Sequence, residues 1–281
     1  MSNINDKVIA ITGAGSGIGR ALALQLTAKG ARLALSDINP DSLQETARLC
    51  RSAAQAELTT RLLDVSDRKA VYAWAEEVYL HYGQVNVIIN NAGIALSSTI
   101  EDLPYEDFEW LMNINFWGVV YGCKAFLPLL KQSGQGHIIN ISSLFGLIAT
   151  PTTSAYNAAK FAVRGFTESL SQELAISQAG INVTCVHPGG IKTNIVSGGR
   201  VIPNADWGLV DTAQSSDRFQ KIARTSPESA AQQIIAALEN PRQRRLLIGK
   251  DAKMLDFVQR LMPVQYQSIV AHFAARHRGM H

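Results

Sequence analysis

The sequence predicts an α/β protein: a three-layer, doubly wound parallel sheet of about seven strands. Three observations carry this. Short β-branched runs alternate with longer helical patterns, as in βαβ units with right-handed crossovers. The strand candidates read as continuous apolar runs, expected when helices cover both faces of a sheet. A glycine-rich turn joins the first strand to the first helix.

The elements follow in order. "KVIAIT" (7–12) is a buried strand, and helix runs from the glycine turn to about residue 29. "RLALSD" (32–37) is the second strand, with helix from about 41. "LTTRLLDV" (58–65) leads into helix 67–82, and "VNVIINNAG" (85–93) is a strand ending in a turn. Residues 105–132 are helical. "GHIINISS" (136–143) precedes a helix containing Tyr156, and "INVTCVHPGG" (181–190) runs into a Pro-Gly turn. Helix 227–239 and strand "RLLIG" (245–249) close the series.

Residues 190–225 have weak periodicity and many small or polar residues, which suggests a lid or substrate loop. Residues 251–281 read as a helical extension. Leu255, Val258, Leu261 and Met262 stand there at helical spacing, to pack on the core or on another subunit. With no low-complexity linker and no repeat, residues 1–281 read as one domain.

Of the 281 residues 47% are apolar, enough for a large core. A net charge of +3 gives nucleic acid little to attract it. From Arg242 onward eight Lys/Arg face only Asp251 and Asp256. That basic stretch reads first as a solvated face, and secondarily as a surface for an anionic substrate, lipid or partner. Cys50, Cys123 and Cys185 lack metal-ligand spacing and are odd in number, which fits a reducing cytosol and no metal site. The N-terminus does not read as a signal peptide, and no apolar run reaches the roughly 18–20 residues of a membrane span. A cytoplasmic protein with no membrane span is the expectation.

The stretch "TGAGSGIGRA" (12–21) does not fit G-x-G-x-x-G; its glycines Gly13, Gly17 and Gly19 fit G-x-x-x-G-x-G instead, with Ser16 and Ile18 between them. The logic is shared with the dinucleotide fingerprint. Small residues permit a tight turn and close approach of backbone to a pyrophosphate, and the helix N-terminus favours its charge. Asp37 ends the second strand, eighteen residues beyond Gly19. A carboxylate there suits both adenosine ribose hydroxyls and repels a 2′-phosphate, so NAD is preferred over NADP. The alternative, Asp37 as a turn or cap residue, leaves that choice open. In "SAYNAAK" (154–160), Tyr156 and Lys160 share a helix face at i, i+4.

In order and spacing these motifs resemble the short-chain dehydrogenase/reductase family over about residues 5–250. The shared set is "TGAGSGIG", Asp64–Val65, "NNAG" (90–93), "NINFWG" with Asn115, "ISS" ending at Ser143, "YNAAK" (156–160) and "HPGGIKT" ending at Thr193. Ala159 stands where many members carry serine. The resemblance implies a Rossmann-like fold and a catalytic tetrad of Asn115, Ser143, Tyr156 and Lys160. It implies that Asp64 and Val65 contact adenine, and that Asn91, Ala92 and Gly93 line the cofactor cleft. Pro188, Gly189, Ile191 and Thr193 would border the nicotinamide, and Lys160 would also hold its ribose. It further implies a homodimer or homotetramer through the helices bearing Asn115 and Tyr156.

Such chemistry moves a hydride and a proton between a secondary alcohol and a ketone or aldehyde, with NAD(P) as the hydride carrier. Tyr156 would be the acid/base, its pKa drawn down by the Lys160 ammonium. Ser143 would hold the substrate oxygen, and Asn115 would bend its helix and hold a water in a proton relay. His187 could look catalytic, but the tetrad already supplies the proton path; His137 and His81 read as turn or helix-end residues. Ile195, Val196, Val201, Ile202, Trp207 and Leu209 suggest an apolar wall and a hydrophobic substrate. The alternatives are a 3-oxoacyl-thioester or fatty-acyl reductase, and a non-catalytic NAD-binding scaffold.

Overall fold

The computed structural model describes residues 4–54, 57–240 and 242–278; the last residues of the expected extension, 279–281, lie outside the described residues. Strand β1 (Val8–Thr12) is followed by α1 (Gly17–Ala28), β2 (Arg32–Asp37), α2 (Pro40–Ala53), β3 (Leu58–Leu62) and α3 (Arg68–Tyr82). Then come β4 (Val87–Asn90), a short β5 (Leu96–Ser97), α4 (Tyr105–Met112), a π-helical turn (Asn113–Trp117) and α5 (Gly118–Gln132). The chain continues through β6 (Gly136–Ile141), α6 (Ser154–Ile176), β7 (Ile181–Pro188), β8 (Arg200–Val201) and α7 (Thr212–Ile222). It ends with α8 (Pro227–Glu239), β9 (Arg245–Ile248), α9 (Lys250–Leu261) and α10 (Tyr266–Arg278).

Seven strands form one sheet in the order β3-β2-β1-β4-β6-β7-β9, every neighbouring pair parallel. The order reverses between β1 and β4, and a crevice opens there at the carboxyl ends of the strands. The two-residue period of a strand sends alternate side chains to opposite faces. Ile9 and Ile11 of β1 therefore join Leu22, Leu26, Leu33, Ile234 and Leu238 beneath α1 and α8. Val8 and Ala10 join Trp74, Val78, Phe126, Ile138 and Val163 beneath α3, α5 and α6. Each such aliphatic side chain, fully buried, stabilises the fold by about 1.5–3 kcal/mol.

Local sequence starts the helices. Asn39, Asp67 and Ser226 accept from backbone N–H groups of the first turns of α2, α3 and α8, and Pro40 and Pro227 preset the first backbone angle of two of them. Several strands stop two or three residues before the expected ends, as at Leu62, Asn90, Ile141 and Pro188. The residues just beyond leave the ladder and form the turns at the crevice.

Three features differ from the sequence expectation. Residues 96–97 and 200–201 pair as a second, parallel two-stranded sheet. The segment 190–225 is not one loop: it holds a 3-10 turn (Ala205–Trp207) and α7, whose first turn is capped by Asp211. Helix α7 buries none of its residues fully, so its apolar period is weak. His137 lies inside β6 rather than in a turn, 1% exposed, with Nε2 2.8 Å from the Thr184 hydroxyl. In the extension Leu255 and Val258 pack against Leu144, Ile148, Ala252 and Tyr266, whereas Leu261 faces outward.

Candidate active site

The glycine turn is locked to the turn after β4. The Asn91 side-chain amide donates to the carbonyls of Thr12 (2.9 Å) and Gly13 (3.0 Å), while Thr12 Oγ1 accepts from the backbone N–H of Asn91 and Ala92. This leaves no space for side chains. A Cβ on Gly19 would lie 2.0 Å from the Gly13 carbonyl, and one on Gly13 2.8 Å from Ala92 Cα. Gly17 has φ 52°, and a Cβ there would stand 3.0 Å from Thr193 Cγ2, so the glycine turn faces the segment after β7. Ser16 precedes α1 without capping it through its side chain, and Ile18 packs into the core.

Asp37 holds the second turn. Its two carboxylate oxygens accept from the backbone N–H of Gly15 (2.8 Å) and Asn39 (2.9 Å). Arg20 is engaged beneath, donating to the Thr46 hydroxyl and to the carbonyls of Gly15 and Ser42. Asp64 accepts from the N–H and hydroxyl of Ser66, and Val65 packs against Gly118, where an added Cβ would lie 2.9 Å away.

The predicted tetrad converges near Gly93. A Cβ on Gly93 would lie 3.2 Å from Asn115 Oδ1 and 3.5 Å from Lys160 Nζ. Asn115 is fully buried inside the π-helical turn and is paired both ways with Ile94: Oδ1 accepts its N–H and Nδ2 donates to its carbonyl, each at 2.9 Å. Ser143 Oγ accepts from Phe145 N–H at 3.1 Å, which leaves the hydroxyl proton free to donate. Tyr156 sits among Ile94, Leu96, Phe116, Ala155, Ala159 and Ile202 and meets Phe145 edge-on, with ring centroids 6.2 Å apart. Lys160, 2% exposed, donates to the Ile141 carbonyl at 3.0 Å and lies 5.6 Å from the centre of the Tyr156 ring.

Burial decides the acidity of this pair. It pushes the Tyr156 phenol up to about 12, opposed by the Ser143 hydroxyl, and pulls the Lys160 ammonium down to about 8. The direction for Tyr156 is opposite to the expectation from sequence. The reason is geometric: the ammonium is aimed at the carbonyl of Ile141 and passes the ring of Tyr156.

After β7, Ile191 is 3% exposed, Lys192 N–H donates to the Thr225 carbonyl, and Thr193 accepts from the Gln220 side chain at 2.8 Å. Pro188 pairs with Ile248, and Gly190 N–H donates to the Asp251 carboxylate at 2.7 Å. His187 has no exposure, and its Nδ1 lies 2.8 Å from the Ser143 carbonyl. Burial draws its pKa down to about 4, so near neutral pH it is an uncharged prop for the Ser143 backbone. Thr12, Arg20 and Asp251 carry the site yet fall outside the residues picked from sequence. Thr12 was legible as the residue opening the glycine motif; the other two have no local signal.

A wall faces Tyr156. Arg200 lies 3.8 Å over the Trp110 ring and pairs with Asp107, and Asn204 donates to Asp102 at 2.6 Å, fastening the 194–210 segment to α4. Among the described residues no His/Cys/Asp/Glu group suits a metal ion, and no helix is long and apolar enough to cross a membrane.

The short chain dehydrogenase family model matches residues 7–200. The chain is 49% identical over 276 residues to a protein named as an oxidoreductase, SadH, of Mycobacterium tuberculosis, covering 98% of each. It is 42% identical to the mouse epidermal retinol dehydrogenase 2 over 197 residues, 70% of this chain and 64% of that one. A short chain dehydrogenase/reductase from Burkholderia phymatum, solved in complex with NAD, superimposes with a TM-score of 0.84 at 25% identity, covering 97% of each chain. With the glycine turn, the switch-point crevice and the Tyr156–Lys160 pair all in place, this chain belongs to the short chain dehydrogenase family of oxidoreductases.

Proposed function

We propose that the protein is an NAD-dependent dehydrogenase/reductase that interconverts a hydrophobic secondary alcohol and its ketone or aldehyde. The observation that carries this reading is the placement of Tyr156 in an apolar cluster, with Ser143 and Lys160 beside it. The crevice residues fit a nicotinamide dinucleotide: Gly13, Gly17 and Gly19 leave backbone bare at an uncapped helix start, in space that added Cβ atoms would fill. Gly13, Ser16, Gly17, Ile18 and Gly19 would hold the pyrophosphate, Asp37 the adenosine ribose, and Asp64 and Val65 the adenine. Asn91, Ala92 and Gly93 would line the centre, and Pro188, Gly189, Ile191 and Thr193 the nicotinamide end. Asp37 and the fully engaged Arg20 both favour NAD over NADP, since neither offers a charge to a 2′-phosphate.

Bound NAD would supply the hydride-accepting carbon and a positive charge beside the phenol. Tyr156 then exchanges the proton with the substrate oxygen, and Ser143 donates its free hydroxyl proton to the same oxygen. With its phenol protonated at neutral pH, Tyr156 is set to give a proton to a carbonyl; Lys160 swings from Ile141 to the cofactor ribose and assists the reverse transfer. Asn115, committed to Ile94, fixes the helix turn along which a relay of protons would reach solvent. The apolar neighbours of Tyr156 favour a hydrophobic substrate over a small polar one. Exposed Trp117 and Phe161 support pairing of the Asn115 and Tyr156 helices in a homodimer or homotetramer, which we place in the cytoplasm.

An alcohol and ketone panel with NAD and with NADP, followed at the nicotinamide absorbance, tests this. Turnover of hydrophobic secondary alcohols with NAD is expected. Binding of NAD without turnover of any alcohol, ketone or 3-oxoacyl thioester would favour a scaffold instead.

A further inference from the structure

Asp251 reaches from the first turn of α9 to the turn after β7. Its Oδ2 accepts from Gly190 N–H at 2.7 Å. The space around the carboxylate exists only because side chains are missing. A Cβ on Gly189 would lie 2.2 Å from Oδ2, and a Cβ on Gly249 2.3 Å from Oδ1. Gly249 also has φ 99°, a conformation that favours glycine. The Gly190 carbonyl is held from the other side by the N–H groups of Arg224 and Thr225, each at 3.2 Å. The peptide at Gly190 is therefore fixed at both ends, and the carboxylate is one of the two fixings.

The same extension is tied to the other wall of the site. The Tyr266 hydroxyl accepts from Ala149 N–H at 3.2 Å, and Tyr266 and Ala252 pack with Leu144 and Ile148 just beyond Ser143. Helices α9 and α10 thus bridge the segment after Ser143 and the segment after β7.

We propose that Asp251 is a positioning residue for the nicotinamide end of the cofactor site, acting through the Pro188–Thr193 turn, and that the C-terminal extension is part of the site's framework. This rests on the functional reading above. Removing the acceptor leaves the Gly190 N–H unpaired and frees the turn to shift. A lost bond to a charged acceptor is worth about tenfold or more in binding. The conservative amide keeps an acceptor oxygen in place.

The test measures NAD affinity by fluorescence titration, KM and kcat by nicotinamide absorbance, and melting temperature, on the full chain. Asp251→Ala should raise Kd and KM for NAD about tenfold or more, while Asp251→Asn stays within about threefold of the parent. Asp256→Asn, on the same helix, removes a buried charge paired with Arg260 and should lower the melting temperature without changing KM. Gly189→Ala should weaken NAD binding alone and be partly rescued by Asp251→Ala, since the methyl then occupies the carboxylate's place. Should Asp251→Ala not fold, Asp251→Glu, whose longer side chain crowds Gly189 and Gly249, replaces it. An Asp251→Ala protein that loses thermal stability like Asp256→Asn but keeps the parent KM and Kd for NAD overturns the proposal. A parent protein that binds no NAD overturns the functional reading instead.

Discussion

Lys160 gives its ammonium proton to the carbonyl of Ile141, at 3.0 Å, and meets Tyr156 only across the ring, 5.6 Å from its centre. The lysine is thus held by the end of β6 rather than by the phenol. Ser142 reinforces this, its hydroxyl donating to the Lys160 carbonyl at 2.8 Å. Side chain and backbone of one residue are both fixed to the strand that carries Ser143.

Tyr156→Phe removes the exchangeable proton and keeps the ring among its apolar neighbours. Turnover with the best alcohol should fall by about 10²–10⁴, with NAD affinity nearly unchanged. Undiminished NADH formation would refute the proton-transfer role.

Lys160→Met replaces a buried ammonium by an apolar chain of similar length. At pH 7 the variant should be inactive yet more stable to urea than the parent, because burying the charge is unfavourable. The sign with pH follows from the lowered pKa. Between about 8 and 10.5 the unfolded lysine holds more protons than the folded one, so parent stability rises with pH there. The gap to the variant should therefore narrow as pH rises from 8 to 10.5.

His187 and His137 are both buried and both drawn down to about 4, chiefly by burial. From the ordinary value of about 6.5 down to 4, the unfolded chain binds protons that the folded chain refuses. Stability should therefore fall on acidification through that window, each histidine contributing on the order of 3 kcal/mol. His187→Asn, which can still donate to the Ser143 carbonyl, should flatten the urea-midpoint profile between pH 6.5 and 4.

The role given to Asp37 predicts a preference for NAD in kcat/KM. Asp37→Ser should reduce that preference about tenfold or more, by removing the ribose acceptor and the charge opposing a 2′-phosphate. A parent enzyme faster with NADP would refute the assignment.

Gly19→Ala and Gly165→Ala should act in opposite directions. The first places a methyl against the Gly13 carbonyl and should lower stability by about 1–3 kcal/mol or more. The second adds a methyl on α6 with nothing within 4 Å and should gain about 0.5–1 kcal/mol. Thermal melts of the two variants compare them directly.

The sheet, its flanking helices and the glycine turn were legible because their signals are local: apolar periods, caps and bare backbone. Ser143, Tyr156 and Lys160 were legible from ordered spacing. Asp251 was not, because the carboxylate acts on Gly190 and Gly189, some sixty residues away, and nothing near it in the chain marks that seat. The acidity of Tyr156 was misread for a related reason. Spacing puts Lys160 on the same helix face but does not say that Ile141 takes its proton. Helix α7 escaped notice because a helix that buries little leaves little pattern.

The π-helical turn at Asn113–Trp117 also fixes the phase of everything after it. Each helical residue turns the chain by about 100°. Deleting one residue from that turn would restore an ordinary helix through Asn115, at the expense of rotating α5 by that angle. Val119, Cys123, Phe126 and Leu130, which now line one buried stripe, would leave the core together. The extra residue is therefore kept by two parties at once: Asn115 requires the widened turn, and the apolar stripe of α5 has been laid out to match it.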